Sequence, residues 1–384
     1  MDGKIKVMTV FGTRPEAIKM APVVLELAKR EEFVPIVAVT AQHREMLDQV
    51  LNLFKITPDY DLDIMQNGQT LFDITKRSLA GLDEVISTAK PDLVLVHGDT
   101  TTTFTGALAS YYHQIQVGHV EAGLRTHNIY SPFPEEMNRK LTGAIANLHF
   151  APTATSRENL LRENIDPKSI FVTGNTVIDA LHHTVKDNYA FEGELRNIDF
   201  RGKKIILVTT HRRENLGEPM RQVYKALRKI VDEHNSVEIL FPVHRNPKVR
   251  EVVEAELGGL SAVHLVEPLD YEPFANVIAQ SHLILTDSGG VQEEAPAIGK
   301  PVLVLRDTTE RPEAVAAGTV RLIGTEEEIV YQNTLELITD TAAYDKMAKA
   351  KSPYGDGKAA KRICDAILYA FGKTTSRPES FSEQ

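Results

Sequence analysis

Short apolar runs alternate with helix-length amphipathic segments along almost the whole chain. The runs are apolar throughout and rich in Val, Ile and Leu, which is typical of strands buried on both faces of a parallel sheet. Because strand follows helix repeatedly, we predict crossover connections and an α/β fold made of two doubly wound, Rossmann-like domains facing a central cleft. The predicted strands are IKVMTV, VPIVAVT, DLVLVHGD, IQVGHVEA, HFAPT and SIFVTG in the first half, and KIILVTT, VEILFPV, AVHLVEP, LILTD, PVLVL and TVRLIG in the second.

The domain boundary is expected at the least patterned internal stretch, about residues 184–202, which is polar and follows the helix-like segment NTVIDALHH. We therefore predict a first domain at residues 1–180 and a second at 181–360. Residues 361–384 are predicted to form a C-terminal helix that packs back on the first domain, followed by a frayed polar tail.

Composition excludes several classes of protein. The 384 residues carry 43 Lys+Arg against 53 Asp+Glu, a formal charge of −10, which argues against a general binder of nucleic acid or of anionic membranes. No run reaches the ~20 apolar residues that span a bilayer, and the N-terminus lacks the long apolar segment of a signal peptide. Cys364 is the single cysteine, which fits a reducing cytosol. We expect a cytoplasmic protein with a small ligand.

Reactive side chains follow almost every predicted strand. Turns alone would use Gly, Asn, Ser and Pro at these positions. In open parallel sheets, ligands bind beyond the carboxyl ends of the strands, where the strand order reverses. The pattern therefore predicts a binding cleft lined from both domains. The segments concerned are FGTRPE, HGD, EAGLR, HRREN, HRN, DSGG and RDTTERPE.

The segment DSGGVQEE lies between a predicted strand and a helix start. Backbone N–H groups at Ser288, Gly289 and Gly290 could bind a phosphate there, at the positive end of the helix dipole. Glu294, one turn into the helix, could accept hydrogen bonds from a ribose diol. The alternative is an N-cap serine followed by glutamates of the first turn. The glycine pair favours the ligand.

Cations gather at other strand ends. Arg14 and Lys19 lie at the start of the helix FGTRPEAIKMAP, where positive charge opposes the dipole and calls for an anionic partner. A surface salt bridge is the alternative. His211 and Arg212 of HRREN, with His244 of PVHRNP, could stabilise a departing diphosphate. Their alternative role is that of polar caps at strand ends.

Three acid-bearing segments are predicted to converge beside these cations. Asp99 follows a strand, although it could simply cap the next helix. Glu121 follows another strand, and the next loop brings Glu135 together with Arg139. Crowded carboxyl groups beside cations suit proton transfer. The sequence has no HExxH and no strand-linked GxGxxG, so we predict neither a catalytic metal nor a nicotinamide cofactor.

From near its start to about residue 370, the chain resembles the non-hydrolysing bacterial UDP-N-acetylglucosamine 2-epimerases. The resemblance implies the two-domain fold of nucleotide-sugar glycosyltransferases (GT-B type), no cofactor, and usually a homodimer. It also implies interconversion of UDP-GlcNAc and UDP-ManNAc, the latter for surface polysaccharide. The motifs that carry it are FGTRPEAIKMAP, AQHREMLDQ, VHGDTTTT, GHVEAGLRT, SPFPEEMNR, TGNTVIDAL, HRREN, TDSGGVQEEAP, GKPVLVLRDTTERPEA and SPYGDG.

The resemblance also implies residue roles. Residues that bind UDP would be Ser288, Gly289, Gly290 and Glu294, with Arg14, Lys19, Phe274 and Arg311 beside it. Residues linked to catalysis would be Asp99, Glu121, Glu135 and His211, with Arg139 near them. A second UDP-GlcNAc would act as an allosteric activator, bound next to the active site in motifs that contain Gln42, His43 and Gln69.

The implied chemistry is elimination of UDP from C1, proton transfer at C2 to give 2-acetamidoglucal, and re-addition of UDP. Three alternatives share the predicted UDP site: a GT-B glycosyltransferase, a hydrolysing UDP-GlcNAc 2-epimerase, and a non-catalytic sensor of nucleotide sugars. The surplus of acids around the predicted sugar position favours epimerisation.

Overall fold

The computed structural model describes residues 3–42 and 44–382, which form two compact units. Unit 1 comprises residues up to 183 together with 354–382, and unit 2 comprises residues 184–353. No helix of the described residues is long and apolar enough to cross a membrane.

The described part of unit 1 contains a seven-stranded sheet and its helices. The strands are β1 (Ile5–Phe11), β2 (Phe33–Val39), β3 (Tyr60–Asp61), β4 (Leu93–His97), β5 (Gln116–Val120), β6 (Leu148–Ala151) and β7 (Ile170–Val172). The helices are α1 (Arg14–Ala28), α2 (Arg44–Phe54), α3 (Leu71–Ala89), α4 (Thr101–Tyr112), α5 (Glu135–Ile145), α6 (Ala154–Arg162) and α7 (Thr176–Thr184).

Unit 2 contains a six-stranded sheet. Its strands are β8 (Lys204–Thr209), β9 (Val237–Pro242), β10 (Val263–Val266), β11 (Leu283–Thr286), β12 (Val302–Val304) and β13 (Val320–Leu322). Its helices are α8 (Glu218–Glu233), α9 (Pro247–Leu257), α10 (Tyr271–Gln280), α11 (Gly289–Ala297), α12 (Pro312–Ala316), α13 (Glu327–Thr339) and α14 (Thr341–Ala348). The chain then returns to unit 1 and forms α15 (Ala359–Ala370). The sequence-based divisions at 181 and 361 fall inside α7 and α15.

Both sheets have the strand order of a doubly wound fold. Unit 1 has the order β3-β2-β1-β4-β5-β6-β7, and unit 2 has the order β10-β9-β8-β11-β12-β13, with parallel pairing. The order reverses between β1 and β4 in unit 1 and between β8 and β11 in unit 2. The predicted α/β fold with two Rossmann-like domains is therefore confirmed. The twelve predicted strands are present, and β3, with two residues, was missed because so short a strand leaves no pattern.

Apolar runs form these strands because helices cover both faces of each sheet. Every residue of β4 is buried, and Val94 and Val96 pack with Leu82 and Ile86 of α3. In unit 2, Tyr224 of α8 is fully buried in the corresponding core. Burying one such side chain contributes roughly 1.5–3 kcal/mol, so the packed layers hold the strand ends in place.

A buried carboxylate joins the two loops at the reversal point of unit 1. Glu16, in the first turn of α1, accepts hydrogen bonds from the backbone N–H groups of Gly12 (3.0 Å) and Thr13 (2.8 Å). It also accepts from the Thr100 hydroxyl (2.6 Å), which belongs to the loop after β4. The loops that follow β1 and β4 are therefore held together by one side chain.

The C-terminal segment is held against unit 1. Arg30, which follows α1, contacts Asp365 of α15 at 2.6 Å. The tail beyond α15 was expected to be frayed, but it lies along the edge strand β7. Arg377 donates to the carbonyl of Ile170 (2.6 Å), and the N–H of Phe381 donates to the carbonyl of Val172 (2.8 Å). The polar composition of the tail gave no sign that the edge of β7 offers these acceptors.

Replacing Gly118 by alanine tests how tightly the sheet of unit 1 is packed. A Cβ at this position in β5 would lie 2.6 Å from Leu95 Cδ2 and 3.0 Å from Phe150 Cε2. We expect Gly118→Ala to lower the free energy of unfolding by about 1–3 kcal/mol, because the core must shift to admit the methyl group. Chemical denaturation monitored by circular dichroism measures this change in the free energy of unfolding.

Gly143→Ala is the matched control. Gly143 lies inside α5, and a Cβ there would meet only the Arg125 guanidinium at 3.4 Å. Because alanine favours helix, this variant should be as stable as the parent protein or up to ~1 kcal/mol more stable. Equal stability of Gly118→Ala and the parent protein would contradict the packing described here.

Candidate active site

Predicted site residues of unit 1 surround a cavity at the reversal point between β1 and β4. The cavity has a volume of about 440 Å³, and its lining includes Arg14, Gln42, Asp99 and Glu135. These residues come from the start of α1, from the loops after β2 and β4, and from the start of α5. The structure thus brings together residues that are far apart in the sequence, where an open parallel sheet binds its ligands.

Asp99 is positioned by Arg139. The Arg139 Nε donates to the Asp99 carboxylate at 2.9 Å, and its Nη1 donates to the fully buried carboxylate of Glu136 at 2.9 Å. The N-cap of α4 is Thr100, whose hydroxyl accepts from the N–H of Thr103. Asp99 is therefore not the helix cap, and its carboxylate lines the cavity.

Glu121 is held by several donors, and its Oε1 lies 3.9 Å from the position of a Cβ on Gly98, the residue before Asp99. Lys19 forms an ion pair with its Oε2, the side-chain amide of Asn175 donates to the same oxygen at 2.9 Å, and His97 Nε2 lies 3.7 Å from it. Burial raises the pKa of the Glu121 carboxyl, but Lys19 and His97 outweigh it and bring this pKa well below its usual value. Glu121 is therefore a carboxylate at neutral pH.

The backbone of Glu121 has a φ of +62°, in the left-handed region that residues with side chains rarely adopt. Such a conformation costs of order 1 kcal/mol or more and occurs often at functional sites. Here it turns the chain directly after β5, so that the side chain contacts Lys19 of α1. The ion pair balances part of the charge of Lys19, for which a salt bridge was the alternative to a bound anion.

Two of the residues predicted to bind an activator, Gln42 and Gln69, belong to the described part of unit 1. Gln42 lines the cavity beside Asp99 and accepts a 3.5 Å hydrogen bond from the Thr102 hydroxyl. Gln69 lies before α3, and its side-chain oxygen accepts from Arg77 at 3.2 Å. His43 lies outside the described residues.

In unit 2, α11 begins directly after β11 with the predicted phosphate-binding residues. Ser288 is the N-cap, as the capping alternative expected, but its side chain makes no capping hydrogen bond with the described residues. Gly289 and Gly290 form the first turn. A Cβ on Gly289 would lie 3.8 Å from the Arg311 guanidinium, which places this cation at the positive end of the helix. Arg311 is held there by an ion pair with Glu293.

His211 is oriented by a buried aspartate that the sequence analysis did not assign to the site. Asp287 accepts from the backbone N–H groups of His211 and Arg212, both at 2.9 Å, and its carboxylate lies 3.0 Å from His211 Nδ1. Burial raises the pKa of Asp287, but contacts with His211 and Arg212 lower it below its usual value. The His211 ring also stacks on His244, with centroids 5.9 Å apart. Nε2 is thus the nitrogen left for a ligand.

The other predicted residues of unit 2 lie near these loops or farther along the sheet. Glu294 is buried, and its Oε2 lies 4.0 Å from the position of a Cβ on Gly290. The Arg212 Nε donates to the Asp287 carbonyl at 3.3 Å. Phe274 lies in α10, which follows β10, two strands from β8 in the sheet. Unit 2 therefore gathers a helix start, two imidazoles and two guanidinium groups near the ends of β8 and β11.

Two buried side chains have roles at the site that sequence reasoning missed: Asn175 and Asp287. Each lies in a segment that was recognised as polar, but its partner comes from another segment of the chain. Within the described part of the chain, no group of three or more His, Cys, Asp or Glu side chains is arranged to hold a metal ion.

Comparison with known proteins gives consistent matches over the whole chain. A family model described as UDP-N-acetylglucosamine 2-epimerase matches residues 25–368. The chain is 60% identical over 380 residues to the UDP-N-acetylglucosamine 2-epimerase of Bacillus subtilis, covering 99% of each chain.

Solved structures of relatives have the same fold. The S. aureus MnaA–UDP co-structure has a TM-score of 0.85 and 52% identity, covering 98% of this chain and 100% of that chain. The UDP-GlcNAc 2-epimerase from Neisseria meningitidis bound to UDP-GlcNAc has a TM-score of 0.82 and 50% identity, covering 95% and 100%. Matches of this identity over nearly the full length confirm the resemblance carried by the motifs, and the chain belongs to the UDP-N-acetylglucosamine 2-epimerase family.

Proposed function

We propose that this protein interconverts UDP-GlcNAc and UDP-ManNAc by inverting C2 of the sugar without net hydrolysis. The observation that carries the proposal is the group of acids in unit 1: Asp99 and Glu135 line one cavity, and the ionised Glu121 lies near Gly98, the residue before Asp99. Relatives with 52% and 50% identity are described with UDP and with UDP-GlcNAc bound, which supports the same ligands here.

The reaction needs elimination because the C2 hydrogen of the sugar has no adjacent carbonyl to acidify it. Cleavage of the C1–O bond gives C1 oxocarbenium character, and the bonding electrons leave with UDP. A carboxylate then takes the C2 proton, and the C1=C2 bond of 2-acetamidoglucal forms. Protonation of C2 on the opposite face and return of UDP to C1 give the epimer. No electrons are gained or lost overall.

In this proposal, unit 2 binds UDP and stabilises it as a leaving group. The N-terminus of α11 and Arg311 offer N–H donors and positive charge to phosphate oxygens, and Glu294 accepts from the ribose. His211, held by Asp287, directs Nε2 at the developing anion. The full set proposed for UDP in unit 2 is Arg212, His244, Phe274, Ser288, Gly289, Gly290, Glu294 and Arg311.

Unit 1 is proposed to act on the sugar. Glu121 is available to accept a proton because its lowered pKa keeps it ionised at neutral pH, and Asp99 and Glu135 are the candidates for proton transfer at the other face. Arg139 keeps Asp99 oriented, and Arg14 adds positive charge beside both cavity acids, Asp99 and Glu135.

We further propose that a second UDP-GlcNAc activates the enzyme through Gln42, His43 and Gln69. The support is that Gln42 lines the same cavity as Asp99, so that a ligand there would border the acids. Conversion of UDP-ManNAc should then accelerate when a trace of UDP-GlcNAc is added, and a rate that ignores this addition would contradict the idea.

We propose that the protein acts in the cytoplasm and that its product supplies surface polysaccharide. We also propose that it is a homodimer and that the exposed face of α4 and α5 forms the interface. Tyr111 (61% exposed) and Tyr112 (67%) end α4, and Leu141 (40%) lies on α5. Neighbouring exposed apolar side chains of this size mark interaction surfaces. We expect Leu141→Arg to shift the mass measured by analytical ultracentrifugation towards the monomer, and an unchanged dimer would exclude this face.

Incubation with UDP-GlcNAc alone in heavy water tests the function. We expect UDP-ManNAc with deuterium at C2, because the proton taken up comes from solvent. A glycosyltransferase would need an acceptor, a hydrolysing enzyme would release UDP irreversibly, and a sensor would give no product. An epimeric product free of deuterium would exclude the proposed elimination.

Asp99→Asn tests the role of the cavity acid. We expect kcat to fall by about 10²–10⁴-fold, since the amide cannot transfer the proton. Asp83→Asn is the matched control, because Asp83 is a 70% exposed surface acid on α3 that pairs with His113. Its kcat should equal that of the parent enzyme.

Asp287→Asn tests the orientation of His211. Loss of the carboxylate removes the partner of Nδ1, so we expect kcat to fall by about 10- to 100-fold with the fold retained. The control is Glu238→Gln, which alters another carboxylate–histidine pair of unit 2, Glu238 with His264 at 2.8 Å. Equal rates for both variants would mean that Asp287 does not act through His211.

A further inference from the structure

The side-chain amide of Asn175 has only one orientation that satisfies both of its neighbours. Its Oδ1 accepts from the backbone N–H of Val177 at 3.0 Å, a position where an NH₂ group could not be placed. Its Nδ2 must therefore point the other way, and it donates to Glu121 Oε2 at 2.9 Å. Asn175 is 3% exposed, so water does not compete for these bonds.

The two oxygens of Glu121 have different surroundings. Oε2 receives Lys19 and Asn175, and His97 lies 3.7 Å away. Oε1 lies 3.9 Å from the position of a Cβ on Gly98, beside the loop that carries Asp99. Asn175 thus fixes one oxygen of the carboxylate, and the other lies near Gly98, at the end of β4 and directly before Asp99.

The C-terminal segment holds the backbone of Asn175. The N–H of Asn175 donates to the carbonyl of Tyr354 at 2.6 Å. Gly174 has a φ of +84°, and a Cβ there would lie 3.3 Å from the Cα of Gly355 and 3.6 Å from the Phe381 ring. The loop between β7 and α7 is therefore covered by the segment that returns from unit 2 and by the tail, and a side chain at position 174 would strain the backbone and push on Gly355.

We propose that Asn175 is a positioning residue that aims the Glu121 carboxylate, and that residues 354–355 and Phe381 hold Asn175 in place for this task. The inference deepens the proposed function and rests on it, because it takes Glu121 as a carboxylate that exchanges a proton with the sugar.

Loss of the amide has two consequences for a base. The carboxylate gains rotational freedom, and it loses a donor that stabilises its charged form. We therefore expect Asn175→Ala to lower kcat by about 10- to 100-fold, the effect of one hydrogen bond to a charged group, with KM changed by less than about threefold.

The pH profile separates this role from a purely structural one. Activity that needs the Glu121 carboxylate is present above the pKa of that group and is lost as the pH falls through it. Removing a donor raises this pKa, so the acid-side inflection of kcat should move to higher pH in Asn175→Ala. Asn175→Asp places a second carboxylate beside Glu121, and its inflection should move further in the same direction.

The experiment compares kcat, KM, pH profile and melting temperature for Asn175→Ala, Asn175→Asp, Glu121→Gln and the double variant Asn175→Ala/Glu121→Gln. Asn147→Ala is the matched control, because Asn147 makes a similar bond to the N–H of Val117 (2.9 Å) at the amino end of the same sheet. It should lower the melting temperature at most and leave the pH profile unchanged. Phe381→Ala removes a contact that supports the loop between β7 and α7. It should shift the pH profile of kcat less than Asn175→Ala does, and it replaces Asn175→Ala as the test variant if that variant does not fold.

The outcomes distinguish this inference from the proposed function. If Glu121→Gln turns over at the parent rate, the assignment of Glu121 in the proposed function is wrong. If Glu121→Gln is inactive while Asn175→Ala keeps the parent kcat and pH profile, the positioning role is overturned and the proposed function stands. If Asn175→Ala lowers the residual rate of Glu121→Gln as much as it lowers the parent rate, Asn175 does not act through Glu121.

Discussion

A carboxylate that leaves water must be surrounded by donors, and this requirement organises the loops of both units. Transfer of an unpaired charge to the interior costs several kcal/mol or more, so buried acids such as Glu16, Glu136 and Asp287 bind donors from other segments of the chain. Glu16 joins the loops after β1 and β4, and Glu136 holds Arg139 against Asp99. Asp287 joins the loops after β8 and β11. The loops that carry the candidate site are therefore held by their own buried charges.

The same edge of each sheet also determines which chemistry is available. Parallel strands end together, and the helices that follow them present N–H groups at that edge. In unit 2 this gives a helix start with Arg311 beside it, a surrounding suited to an anion. In unit 1 the corresponding edge carries Asp99 and Glu135, acids suited to proton transfer. The proposed reaction needs both kinds of surface, one for the leaving pyrophosphate and one for the sugar.

Sequence patterning predicted the strands and the polar strand ends because both are local properties. The position of Ser288 before α11 could be predicted from a strand followed by a glycine pair. Asn175 and Asp287 could not be assigned, because their importance depends on Glu121 and His211, which lie 54 and 76 positions away. The docking of Phe381 on β7 was missed for the same reason, since composition alone indicates a frayed end. The sequence alone did not show which side chains from distant segments contact each other in the folded protein.

The environment of Glu121 constrains the order of events in the proposed reaction. Lys19, Asn175 and His97 surround one of its oxygens, and its pKa lies well below the usual value, which makes it a weak base. A weak base removes a proton from carbon only if that proton has already become acidic. Cleavage of the C1–O bond must therefore run ahead of proton transfer at C2, so that positive charge at C1 acidifies the neighbouring hydrogen. The greater share of the barrier then falls on the departure of UDP, which is where the cations and helix N-terminus of unit 2 would act.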